Sequence, residues 1–271
     1  MGQSDSLFQA ARRCLLVTDV EEKLSLTAET AAAWRVGRLR LADWTPADRI
    51  LEAGRPARPE LVHASQVPRR GLGSEQGRLA LIHAIAHIEF NAINLAWDAV
   101  QRFPDLPADF YADWIRVADE EAKHFRLLRR RLRAGGADYG DFAAHNGLWD
   151  MAVRTAGDPL VRMALVPRML EARGLDVTPG MIKRLRQLGD LQTVEVLQLI
   201  LDEEIGHVAS GSRWFDYLCR QRGLEPETAY FDLLNDFLNG EIRCPLHRRA
   251  RLEAGFSEQE LDRLEALCTR G

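Results

Sequence analysis

Two stretches, FYADWIRVADEEAKHF (110–125) and LILDEEIGHVASG (199–211), decide how this chain is read. In both, apolar residues recur at alternating spacings of four and three, the period of a helix that buries one face. Glu-x-x-His interrupts each buried face, as Glu121-Ala-Lys-His124 in the first and Glu204-Ile-Gly-His207 in the second. Residues i and i+3 of a helix point the same way, so each motif presents a carboxylate and an imidazole together. A lone carboxylate in an apolar core costs several kcal/mol unless it is neutralised or paired. A bound cation removes that cost.

Outward from these motifs the chain reads as helix throughout. The stripe Phe110, Trp114, Val117, Glu121, His124, Leu128 lies on a predicted helix over 108–134. A preceding helix over 77–102 carries Ile82, Ala86, Glu89, Ile93, Ala96, Val100, Phe103, and FPDLP (103–107) separates the two. The last long helix, 190–221, carries Leu197, Leu201, Glu204, Val208, Gly211, Phe215, Leu218. Asp158 caps a helix starting at Pro159, which GLDVTPG (174–180) is expected to end, and a short helix follows over 179–188. Residues 7–35 read as one or two helices, 139–156 as a crossover helix, and 226–239 and 257–268 as weaker terminal ones. Residues 43–77, with Pro46, Pro56, Pro59 and Pro68, are too broken for regular structure. The expected fold is all-α: a ferritin-like four-helix bundle over 77–221 with a long crossover, an N-terminal extension (1–76) and a C-terminal one (222–271), together one structural domain.

Two Glu-x-x-His helices need one further glutamate from each of two others, and Glu89 and Glu171 are the candidates. Glu89 lies about 13 residues before the FPDLP turn and Glu121 about 14 after it, so both sit about 20 Å from the turn, level across an antiparallel hairpin. The order Glu, Glu-x-x-His recurs as 89, 121–124 and 171, 204–207. The second half is less regular, because Gly174 and Pro179 follow Glu171, and Pro167, one turn before it, removes a backbone hydrogen bond. Chance alone gives on the order of half a Glu-x-x-His in a chain of this composition. Glu60-Leu-Val-His63, in the Pro-rich stretch, is read as that chance copy.

The stretches VPRRGLGSEQGRLALIHAIAHIEFNAINLAWD (67–98), FYADWIRVADEEAKHF, PRMLEARGLDVTPG (167–180) and LILDEEIGHVASG resemble a bacterial family of ferritin-like proteins catalogued as a domain of unknown function. That family is a distant relative of the di-iron hydroxylase acting on a methylthio-isopentenyl adenosine in tRNA. The resemblance covers roughly 60–220 and implies a di-metal bundle with Glu89, Glu121, His124, Glu171, Glu204 and His207 as ligands. Many relatives in that superfamily carry Asp just before the Glu of each Glu-x-x-His. Here Glu120 and Glu203 stand there, which puts the orientation of the histidines in question.

The remaining candidates have plainer readings beside functional ones. His87, four residues after His83, is a packing residue or lies around the metals, and His145 falls in the crossover. Trp97, Tyr111, Trp114 and Trp214 read as core. The run Arg126, Arg129, Arg130, Arg131, Arg133 reads as a solvated helix end. Arg168 and Arg173, beside Glu171, pair with local acids or bind an anionic substrate. With 271 residues, 46% of them hydrophobic, the chain can bury a core without staples. The four cysteines are widely spaced and read as reduced thiols of a cytoplasmic protein. No apolar run approaches the roughly 18–20 residues needed to span a bilayer. The first residues fit a myristoylation pattern through Gly2 and Ser6, with nothing else pointing to a membrane.

Carboxylates with two histidines suit two irons, or manganese at one or both sites, better than structural zinc. The expected activity is O2-dependent oxidation or hydroxylation of a small organic substrate, fed by an electron donor that the sequence does not name. Alternatives are an iron-handling ferroxidase and a binding module stabilised by metal. A storage shell is disfavoured by the terminal extensions, which point instead to a monomer or homodimer. A tRNA substrate is a narrower form of the first reading, and the net charge of −4 weighs against it.

Overall fold

The computed structural model describes residues 5–44, 50–68, 70–238 and 242–269; Gly2 and Pro46 lie outside them. The expected all-α class is what the structure has. By contacts the chain divides into two units, Met1–Val153 and Arg154–Gly271, a division that falls inside the span 77–221.

The first unit is built on a helical hairpin, α3 (Glu75–Arg102) and α4 (Ala108–Ala134), with α1 (Leu7–Leu16) and α2 (Val20–Arg35) packed on it. Ser74 caps α3 through its hydroxyl, and Pro107 opens α4 after the FPDLP turn. The predicted stripe of α3 is buried, and a second buried stripe runs beside it: His83, His87, Asn91, Asn94, Asp98 and Gln101. Its spacings of four and three make it parallel to the apolar one, and it is where the rest of the unit attaches. Lys23 of α2, fully buried, donates to Asn94 Oδ1 (2.7 Å) and to the carbonyls of Cys14 (2.7 Å) and Leu15 (3.2 Å). Trp97 Nε1 donates to Thr27 (3.0 Å), and Trp44 Nε1 to the Gln101 carbonyl (3.0 Å). The window of α3 that is long and apolar enough to cross a membrane, with mean hydropathy 1.4, is 78% buried within the protein. The expectation of no such run is thereby corrected: isolated polar residues hardly lower a mean taken over Ile, Leu and Ala.

The crossover helix is shorter than expected. It is α5 (Gly147–Arg154), preceded by an irregular segment from Asp138 to Asn146. The histidines of α3 hold that segment. Gly140 N donates to His83 Nε2 (2.9 Å), and His83 stacks on Tyr139. The Tyr139 hydroxyl lies 2.9 Å from His87 Nδ1, and His87 Nε2 donates to the His145 carbonyl (3.1 Å). Within the Pro-rich stretch the described residues hold one 3-10 turn, Ala64–Gln66.

The second unit contains α6 (Pro159–Leu165), α7 (Ala172–Gln187), α8 (Leu191–Gln221), α9 (Pro226–Leu238), α10 (Arg248–Glu253) and α11 (Glu258–Ala266). A π-helical turn, Val166–Glu171, joins α6 to α7. The predicted stop at GLDVTPG and the separate helix 179–188 are corrected: α7 runs through Gly174 and Pro179. Those residues cost about 1 and 3 kcal/mol in a helix. Leu175, Ile182 and Leu185, buried beside α8, contribute about 1.5–3 kcal/mol each, which outweighs that cost. Pro167 does disturb the helix, as expected, and the π-turn forms around it. The predicted helix 257–268 is α11 with α10 before it.

Two short parallel strand pairs complete the chain, Asp5–Ser6 with Leu39–Arg40 and Ile242–Arg243 with Cys268–Thr269. The second sets Cys244 beside Cys268, and the two are joined as a disulfide, Cα–Cα 5.6 Å. This corrects the reading of four reduced thiols. Cys14 and Cys219 are free and buried.

Candidate metal centre

In the first unit, the level placement of Glu89 and Glu121 across the α3–α4 hairpin brings both carboxylates to one imidazole. His124 Nδ1 lies 3.0 Å from Glu89 Oε2 and 3.4 Å from Glu121 Oε2. One ligand atom from each of the three residues lies within 4.8 Å of the other two. Glu89 is 4% exposed, Glu121 1% and His124 0%. Burial, and then the charge of Glu121, push the Glu89 carboxyl up to about 8. Burial alone would depress His124, but hydrogen bonds and charge from Glu121 and Glu89 carry it up to about 11. The buried seam therefore holds Glu89 uncharged and His124 charged at neutral pH, and a divalent cation among the same three donors would take the place of those protons. Two carboxylate oxygens and an imidazole fit iron or manganese.

In the second unit, one turn of α8 carries the other motif. Glu204 Oε1 lies 3.2 Å from His207 Nδ1, with the glutamate side chain 12% exposed and the histidine 0%. Glu171 closes the π-turn and is half-buried. By spacing it extends the buried stripe of α7, Leu175, Thr178, Ile182 and Leu185, back by one turn.

The other candidates are placed as follows. Glu120 pairs with Arg116 (2.8 Å) in a partly exposed i,i+4 bridge. Glu203 lines an open groove of about 520 Å³ with Arg186, Glu195 and Asp202. His87 holds the crossover segment, and burial depresses it to about 4. Arg173 donates to the carbonyls of Arg243 (3.0 Å) and Pro245 (3.3 Å) and reaches Asp176 at 3.5 Å. Within the basic run, Arg129 pairs with Asp138 and Glu21, Arg133 with Asp138, and Arg126 with the Leu24 carbonyl. His63 of the third Glu-x-x-His caps the 3-10 turn.

Sequence reasoning did not single out Glu260 or assign Arg168 its place. The Arg168 guanidinium is 1% exposed, 2.7 Å from Glu260, and lies against Phe215, Tyr230 and Phe256 at 4.4–4.9 Å. The one signal for Glu260 was Ser257-x-x-Glu260, a capping box, which marks a helix start and nothing more.

One family pattern, described as "Protein of unknown function (DUF455)", matches residues 16–262. The chain belongs to this family. A relative from Haemophilus influenzae, described as "Uncharacterized protein", is 42% identical over 260 residues, covering 92% of this chain and 87% of the relative. No solved structure matches the chain.

Proposed function

We propose that this protein is a ferritin-like di-iron carboxylate protein that activates O2 to oxidise or hydroxylate a small organic substrate. The observation that carries the reading is the buried Glu89–Glu121–His124 trio, two carboxylates from separate helices meeting one imidazole. That trio would hold one iron, and Glu171, Glu204 and His207 would hold a second. When bound, two ferrous ions supply electrons for the reduction of O2, and manganese at either site would serve the same ligands. The chain's own residues do the rest. Ile93, Val117, Phe90 and Phe125, buried on α3 and α4 within one helical turn of the trio in sequence, favour the exclusion of water from it. His124, held between two carboxylates, has its ring orientation fixed before any metal enters. The basic residues of α4 are largely engaged with Asp138, Glu21 and a backbone carbonyl, which favours a small substrate over tRNA.

The test is metal content and oxygen response. Protein purified without chelator should carry about two irons per chain, and its anaerobic Fe(II) form should consume O2 with a transient absorption band. His124→Ala and His207→Ala should each lower iron content and abolish the O2 response. Zinc alone, or no metal and no response to O2, would overturn the proposal.

A further inference from the structure

The sequence around Glu171 is held on both sides by the C-terminal extension. Before it, Arg168 in the π-turn donates to Glu260 Oε1 of α11 at 2.7 Å, both residues buried. The other oxygen of Glu260 accepts from Ser257 N (2.8 Å), so the capping box of α11 fixes the carboxylate that meets the arginine. The Tyr230 hydroxyl of α9 donates to the Arg168 carbonyl at 3.2 Å. After Glu171, Asp176 of α7, 8% exposed, accepts two bonds from Arg251 of α10 (2.9 and 2.8 Å) and one from His247 N (2.8 Å). Two buried ion pairs of opposite sense thus bracket Glu171, one through Arg168 three residues before it and one through Asp176 five residues after it.

A buried ion pair is a poor stabiliser compared with apolar side chains of the same volume. Its use lies in fixing geometry. A π-turn is also a strained way to pass from α6 to α7, and such turns occur often at functional sites. We infer that the C-terminal extension acts as a positioning element for Glu171, with Arg168 and Glu260 as the positioning pair. This rests on the proposal that Glu171 is a metal ligand. Neither residue touches the metal; they set the backbone from which Glu171 reaches it.

Co(II) serves as the probe, titrated into the metal-free full-length protein and followed by its visible absorption. Wild type should bind two ions per chain, and Glu171→Gln should lose the second or bind it at least about tenfold more weakly. Arg168→Met with Glu260→Met replaces the ion pair by apolar side chains. This variant should keep its helical circular dichroism and bind the first Co(II) as wild type does. Its second Co(II) should bind about tenfold more weakly, with an altered spectrum. Wild-type binding and spectrum at both sites in the double variant would overturn the positioning role while leaving Glu171 a ligand. Wild-type binding in Glu171→Gln would remove Glu171 from the ligand set, and the positioning role with it. Tyr230→Phe is the milder variant should the double one not fold. It removes only the bond to the Arg168 carbonyl and should weaken the second Co(II) by about threefold; unchanged binding there would overturn the inference.

Discussion

His83 and Lys23 show what single residues do here outside the candidate metal centre. His83 accepts the Gly140 amide proton through Nε2, which only the neutral ring can do, and burial holds it down to about 4. Its folded value lies below the usual 6.5, so the unfolded chain binds the extra proton between those limits. Stability from this contact is complete above about pH 6.5 and is lost as pH falls through about 4. The contact should therefore be weaker at pH 5 than at pH 7, read as a lower protection factor of the Gly140 amide once the intrinsic pH dependence of exchange is divided out. His83→Gln, which keeps an acceptor but no titrating ring, should remove this contact's share of the pH dependence of melting, leaving that of His87, at about 4, and of Glu89, at about 8 and opposite in sign. Lys23 fails differently when changed. Lys23→Met leaves the Cys14 carbonyl and Asn94 Oδ1 buried without their donor, at a cost of about 2–4 kcal/mol. Urea denaturation should show a lower midpoint at an unchanged slope.

Among the elements, the π-turn and α8 fit one another through a missing side chain. A Cβ on Gly211 would overlap the Pro167 ring, so the ring lies where any other residue would stand. Gly211→Ala should cost about 1–3 kcal/mol despite the better helix propensity of alanine, measured as a drop in melting temperature. The sequence made some elements plain and hid others for physical reasons. α4 was legible to its ends because FPDLP and the pair Gly135–Gly136 mark them, and the level placement of Glu89 and Glu121 followed from helical rise alone. α7 was misread because Gly174 and Pro179 are local signals, whereas the burial that overrides them is tertiary. The second stripe of α3 was visible only in part, as His83 and His87. Its meaning depends on Lys23 and Tyr139, which are distant in sequence. Arg168 and Glu260 are 92 residues apart, and nothing local links them.

At the scale of the whole chain, the ends do more than cover a core. Residues 5–44 satisfy polar groups of α3, and residues 242–269 hold the π-turn and α7. Trimming the first would take the partners from Asn94 Oδ1 and Trp97 Nε1, and trimming the second would take the countercharges from buried Arg168 and Asp176. The Cys244–Cys268 disulfide closes the segment that carries Arg251 and Glu260. Alkylation in denaturant without reductant should modify Cys14 and Cys219 alone, and all four cysteines after reduction; mass spectrometry counts the difference. Modification of all four without reductant would show that the pair is open.

The π-turn also bears on how such a chain can change over generations. Its hydrogen bonds close rings one residue larger than those of an α-helix, so the segment carries a residue that a regular helix would not need. Substitution cannot remove that surplus; a deletion of one codon can. Loss of Met169, for example, would remove the surplus residue and let α6 and α7 join in α-helical register, with Pro167 still leaving one backbone hydrogen bond unmade. The same loss would turn Pro167 and Arg168 by about 100° relative to Glu171, out of the Gly211 notch and the aromatic box. Under the proposed function, descendants of this chain that shed a second metal would be recognisable by length, as sequences one residue shorter between Asp158 and Asp176.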